Sequence, residues 1–253
     1  MFKKFRIKRG VFVFAGCIML FSLIGFVEKK HDDRVCKKVI INVNNEFENY
    51  FVDQLDIQYL IRAAHSGNII GQKFSSLNLK YLEEKIETNN FVKDAQVFND
   101  LRGNLVINVD QMRPMARLIN HFGGGAYIST DATVLPLSSK FASRVIIIGG
   151  PYVKYITDSF LKKEEGQTLL KMLDHIESDP FLKAQIAQMD INSVGEITLF
   201  PQIGKQYIEF GTTKDYELKF RKLKAFYKKI LPVKGWGSYE KISLKYENQI
   251  VCE

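Results

Sequence analysis

The side chains best suited to acid–base or metal chemistry are four histidines, His31, His65, His121 and His175. A zinc or general-base site needs an imidazole brought to a cysteine, a carboxylate or a second imidazole at ligand spacing. None of the four has such a neighbour, and each reads as a surface or half-buried histidine. The glycines at Gly123, Gly124 and Gly125 lack the following helix that a phosphate cradle requires, and no G-x-S-x-G, H-E-x-x-H or P-loop pattern occurs. Asp179 and Asp190 could be paired as catalytic carboxylates. Asp179, however, stands before Pro180 as a helix cap does, and Asp190 lies in a strand-like run. The chain therefore offers no catalytic, cofactor-binding or metal-binding residue. It is expected not to be an enzyme, to need no cofactor and to take no small-molecule substrate.

Charge is the next candidate for function. The net charge of +8 suggests nucleic acid until it is located. Lys3, Lys4, Arg6, Lys8 and Arg9 carry five charges, and all 28 acids lie from Glu28 onward against the other 31 of the 36 basic residues. The body is then about +3, and no nucleic acid is expected as a partner. Residues 11–27 carry no charge and one hydroxyl, Ser22. Seventeen residues of helix reach about 26 Å, close to a hydrocarbon core of about 30 Å. Basic residues before an apolar run place the N-terminus in the cytoplasm and the rest of the chain outside. A cleaved signal peptide is the rival, but large residues follow at Phe26 and Val27 where small ones are needed. The expectation is a tail at 1–10, a transmembrane helix at 11–27 and a linker at 28–37. Cys17 falls in the membrane segment. Cys36 and Cys252 lie at opposite ends of the body, where a disulfide and two free thiols both remain open.

The elements that follow divide at Arg113-Pro114, since proline fixes φ and disfavours helix before it. From Val39 to Val109 the patterns give strand, helix, helix, strand, strand. Asp53 caps a helix with Ile57, Leu60 and Ile61 on one face, and Leu79, Leu82 and Ile86 make a second stripe. Val92–Phe98 and Leu105–Val109 alternate around an Arg102-Gly103-Asn104 turn, as a hairpin does. Beyond residue 114 strands dominate: Met115–Ile119, Ala126–Ile128, Arg144–Gly150, Met189–Asn192, Glu196–Phe200, Tyr207–Phe210, Lys241–Tyr246 and Gln249–Cys252. Helices are expected over Glu164–Glu177 and Lys214–Ile230. The second is basic, with Lys219, Arg221, Lys222, Lys224, Lys228 and Lys229 on its polar sides, and reads as a solvated face or as a surface for acidic partners or lipid. The fold class is α+β, an N-terminal transmembrane helix followed by a βααββ unit at 38–113 and a strand-rich β domain with flanking helices at 114–253.

These residues resemble a known family. The βααββ unit resembles a POTRA domain, a small module that binds polypeptides. Asn90-Phe91-Val92-Lys93-Asp94-Ala95-Gln96-Val97, then Leu105-Val106-Ile107-Asn108-Val109 and Arg113-Pro114-Met115-Ala116, is similar to the pattern of the bacterial cell-division family FtsQ/DivIB. Tyr127-Ile128, Val134-Leu135-Pro136-Leu137-Ser138 and the closing stretch Leu244–Cys252 extend the likeness over nearly the whole chain. Gln111 stands where the family usually has glutamate, and Ser129 and Ala132 replace a common aspartate and glycine.

The resemblance implies a non-catalytic scaffold of the divisome in the cell inner membrane at the septum, single-pass, with its bulk in the periplasm. Its β domain would bind an FtsB–FtsL-like pair by strand addition at the final strand, an edge whose N–H and C=O groups can accept another chain. Tyr246, Gln249, Ile250, Val251 and Cys252 are the expected contact. The alternative is a periplasmic POTRA-type protein that hands polypeptides to outer-membrane assembly or secretion, although no barrel-like stretch or second POTRA copy is present.

Overall fold

A computed structural model of the chain describes residues 17–22, 34–65, 67–119 and 124–253. Of the expected membrane segment 11–27, residues 17–22 are described and are helical. The rest of it, the tail at 1–10, residues 28–33 of the linker, His31 and His121 lie outside the described residues. Among the described residues no helix is long and apolar enough to cross a membrane.

The chain forms two compact units. One comprises the described residues up to Asn44 together with Val52–Asp110, and the other Asn45–Phe51 together with Gln111–Glu253. The short segment Asn45–Phe51 thus belongs with the second unit, which a division by chain position at residue 113 does not separate out. Its ties within that unit are specific. Gln111 donates from Nε2 to the Asn45 side-chain oxygen and to the Asn49 carbonyl, both at 2.9 Å. Phe51 meets Tyr127 and Phe141 edge-on, with ring centres 5.6 and 5.0 Å apart.

In the first unit the expected order of elements is present. β1 (Lys38–Asn44) is followed by α1 (Gln54–Ala64), α2 (Leu79–Ile86), β2 (Val92–Asn99) and β3 (Asn104–Gln111). Asp53 caps α1 through a reciprocal box with Asp56, so two of the orphan donors of the first turn are satisfied locally. Asn78 caps α2 by accepting from Tyr81 N–H. The sheet order is β1-β3-β2, with β1 parallel to β3 and Ile41 opposite Ile107. Ile57, Ile61, Leu82 and Ile86 of the two helices and Leu105, Ile107 and Val109 of β3 are all buried. Lys93 and Asp94, both exposed between buried Val92 and Ala95, break strict alternation as an extra residue in one strand does.

The second unit is built on a nine-stranded sheet. Its strands are β4 (Pro114–Ile119), β5 (Gly125–Ser129), β6 (Val134–Pro136), β7 (Ile146–Gly149), β8 (Ile186–Ile191), β9 (Ile197–Pro201), β10 (Tyr207–Gly211), β11 (Lys241–Ser243) and β12 (Val251–Cys252). The order across the sheet is β12-β11-β10-β9-β8-β7-β4-β5-β6. β4–β7, β7–β8 and β10–β11 are parallel, and such pairs need crossovers of a dozen or more residues. α3 (Asp158–Leu161), α4 (Glu164–Ser178) and α5 (Pro180–Gln185) carry the chain from β7 to β8. Leu169, Leu170, Met172, Leu173 and Ile176 are buried along α4.

Asp179 ends α4 and caps α5, accepting from Phe181 and Leu182 N–H with Pro180 at the first turn, so the cap reading of Asp179 holds. Asp190 lies in β8 and accepts from Gln188 Nε2 at 2.8 Å. In the β5–β6 hairpin, Ala132 holds a left-handed φ of 57° where the resemblance expects glycine, and Ser129, fully buried, accepts Thr133 N–H on its hydroxyl oxygen.

Two expectations need correction. The basic helix expected over 214–230 runs without a gap from Tyr216 to Lys234, but as α6 (Tyr216–Ala225), a π-helical turn at Phe226–Ile230 and α7 (Leu231–Lys234). Pro232 in the first turn of α7 has no N–H to continue the ladder, and the wider turn just before it accommodates the break. The closing strands are also shorter than Lys241–Tyr246 and Gln249–Cys252, because the chain bends over residues 246–248.

Candidate interaction edge

β12 is the last strand of the chain and one edge of the large sheet. It pairs antiparallel with β11, Cys252 opposite Ile242 and Val251 opposite Ser243. Glu253 donates to the Lys241 carbonyl at 3.0 Å, and Lys241 donates back to the Glu253 carbonyl at 3.1 Å. Lys241 and Glu253 are therefore a hydrogen-bonded pair, and antiparallel alternation makes Ile242 and Cys252 a non-bonded one. The N–H and C=O of Cys252 consequently point away from β11, toward the side where no further strand pairs among the described residues.

The five expected contact residues divide by environment. Ile250 and Cys252 pack, partly buried, against the core of the unit, and Val251 is half-buried. Gln249 is exposed and lies before the strand rather than in it. Tyr246 is 53% exposed on the bend. Burial pushes the Cys252 thiol above its ordinary pKa. Cys17, Cys36 and Cys252 are all free thiols.

The bend is held from the basic helix. Lys222 donates from Nζ to the carbonyls of Tyr246 at 2.5 Å, Glu247 at 3.3 Å and Leu244 at 3.4 Å. Removal from water lowers the Lys222 pKa, and nearby Glu247 offsets part of that. Lys219 donates to Thr212 O at 2.8 Å and lies 5.0 Å from the centre of the Phe210 ring. Lys224 pairs with Asp179. Three of the lysines read from the sequence as a polar face are thus structural ties. No local pattern could have singled out Lys222, because its partners lie more than twenty positions on. At the far end of β12, Glu240 donates to the Glu253 carbonyl at 2.7 Å. Glu240 also lines a cleft of about 630 Å³ with Trp236, Tyr239, Tyr207 and Lys205, a concave aromatic surface that sequence reading missed.

His175 sits between the rings of Tyr216 and Phe220, and His65 ends α1 with its Nε2 3.0 Å from Gln72 Oε1. Among the described residues no three His, Cys, Asp or Glu side chains come together as a metal site.

Comparison with known families fits this picture. A POTRA-like domain model matches residues 34–110. The model described as FtsQ/DivIB, C-terminal related, matches residues 113–253, more than half the chain. The chain belongs to the FtsQ/DivIB family. No curated protein matches it. FtsQ/DivIB proteins are non-catalytic proteins of cell division that act through protein–protein contacts.

Proposed function

We propose that the protein is a divisome scaffold, anchored once in the cell inner membrane through residues 11–27, whose periplasmic units link division proteins at the septum. Its partner is an FtsB–FtsL-like pair, which adds a strand along β12 and is guided by Tyr246 and Gln249. The anchor reading is supported by the five cations ahead of an uncharged run. The strand-addition reading is carried by one observation: β12 ends the sheet order with the Cys252 backbone groups directed outward.

Two proline substitutions in the full chain separate docking from self-bracing. Cys252→Pro removes an outward donor and leaves the Lys241–Glu253 pair intact, a position an edge strand tolerates. Val251→Pro removes an inward donor facing Ser243. Cys252→Pro is expected to weaken capture of an FtsB–FtsL-like complex by about tenfold or more, the scale of one backbone hydrogen bond of about 1 kcal/mol plus a disturbed strand path, with little change in unfolding temperature. Val251→Pro should lower both. Unchanged capture by folded Cys252→Pro would show that the partner binds elsewhere.

A further inference from the structure

The end of the first unit where the chain enters carries an unusual combination of side chains. Three stretches meet there. Lys37 N–H donates to the Gly103 carbonyl at 2.9 Å, Cys36 N–H to Gln72 O at 2.7 Å, and Gly71 N–H to Cys36 O at 2.7 Å. Arg34 donates to the Leu101 carbonyl at 3.0 Å, tying the entering strand to the β2–β3 turn. Large apolar side chains project from each stretch: Leu101 is 84% exposed, Ile70 49% and Val35 44%. Around them stand Lys37, Lys38 and Arg102, all exposed. Asp100, the acid of this turn, is occupied by the turn itself. It accepts from Asn104 N–H, from the Asn104 amide and from Arg102 N–H, which hold its carboxyl below the ordinary range against a partial opposing effect of burial.

Exposed apolar tips ringed by cations suit the boundary between anionic headgroups and acyl chains, where the tips bury and the cations meet phosphate. Ile70 and Lys38 also line a cavity of about 720 Å³ with Ile61, Arg62 and His65, but Leu101 and Val35 lie outside that lining and project into solvent, as side chains that bury in a soft lipid boundary do. Chain length adds a second constraint. Six residues separate Val27 from Arg34, which at full extension span about 24 Å. We infer that this pole of the first unit rests on the anionic lipid surface of the membrane, with Leu101, Ile70 and Val35 inserted at headgroup depth. The inference rests on the reading of 11–27 as an anchor, and it makes the first unit a membrane-seated body rather than one swinging on a tether.

The test uses the full chain in vesicles of phosphatidylcholine with or without phosphatidylglycerol. Leu101→Trp in a Trp236→Phe background provides a single emitter. Blue-shifted emission, quenched by acyl-brominated lipid in phosphatidylglycerol vesicles and several-fold less so after Lys37→Gln, Lys38→Gln and Arg102→Gln or in high salt, supports the inference. Retention of the chain after a carbonate wash with water-like, unquenched emission in every lipid overturns it while leaving the anchor standing. Loss of the chain in the wash overturns both. Leu101→Cys in a Cys17→Ser, Cys252→Ser background, labelled with an environment-sensitive dye, reads the same contact if the tryptophan pair fails to fold.

Discussion

The Lys222 ammonium donates to the Tyr246 carbonyl at 2.5 Å and so ties the basic helix to the bend that delivers the last strand. Among the described residues the short β12 pairs with one strand, β11, and a bend with outward carbonyls would otherwise sample many conformations. Lys222 supplies three donors to three carbonyls at the cost of partial desolvation. Lys222→Met keeps the aliphatic stem and removes the head. We expect a loss of about 1–2 kcal/mol in urea unfolding, in the range of charge-assisted bonds, and weaker capture of an FtsB–FtsL-like partner. Unchanged affinity in titration calorimetry would mean that the bend is set without this lysine.

Gln111 illustrates a departure with a local compensation. Its amide donates to the carbonyl of buried Asn49 and to Asn45. An ionised glutamate only accepts, so the family's usual residue would here confront two oxygens. Gln111→Glu is expected to destabilise the protein by about 1–2 kcal/mol at neutral pH, and less once the carboxyl is protonated. Thermal unfolding at two pH values decides it.

Asp179 predicts an acid sensitivity. The Lys224 hydrogen bond, opposed in part by burial and aided by Leu182 and Phe181 N–H, holds its carboxyl below the ordinary value. A carboxyl depressed in the fold stabilises above its unfolded pKa of about 3.9, and that contribution fades as pH falls through the folded value. Asp179→Ala should cost about 1–2 kcal/mol at pH 7 from the lost cap. The difference between wild type and Asp179→Asn should shrink below about pH 4. A difference that is constant down to pH 2 in urea titrations would contradict the assignment.

Gly150 marks where β7 hands the chain to the crossover. Its φ is +94°, and a Cβ there would stand 2.3 Å from the Ile191 carbonyl oxygen. Neither strain nor clash can relax through a side chain, because the obstacle is the backbone of β8. Gly150→Ala should destabilise the second unit by about 3 kcal/mol. Gly237→Ala, with nothing within 4 Å, should be close to neutral in the same calorimetric scan.

Features that depend on a few neighbouring residues were legible in the sequence. Asp53 before an apolar stripe, Asp179 before Pro180, the Leu169–Ile176 stripe and the turn ahead of Asn104 each state their own conformation, because capping and one-sided burial act within a turn or two. The final strand could be recognised from Ile250 and Val251, and so could the likeness to FtsQ/DivIB. The tertiary structure alone decided that Cys252 rather than Val251 turns its backbone outward, that Lys222 holds the bend, and that Asn45–Phe51 packs with the second unit. Each of these depends on a pairing across a long crossover, such as β10 with β11, or on a side chain meeting backbone more than twenty residues away. No short window of sequence contains both partners.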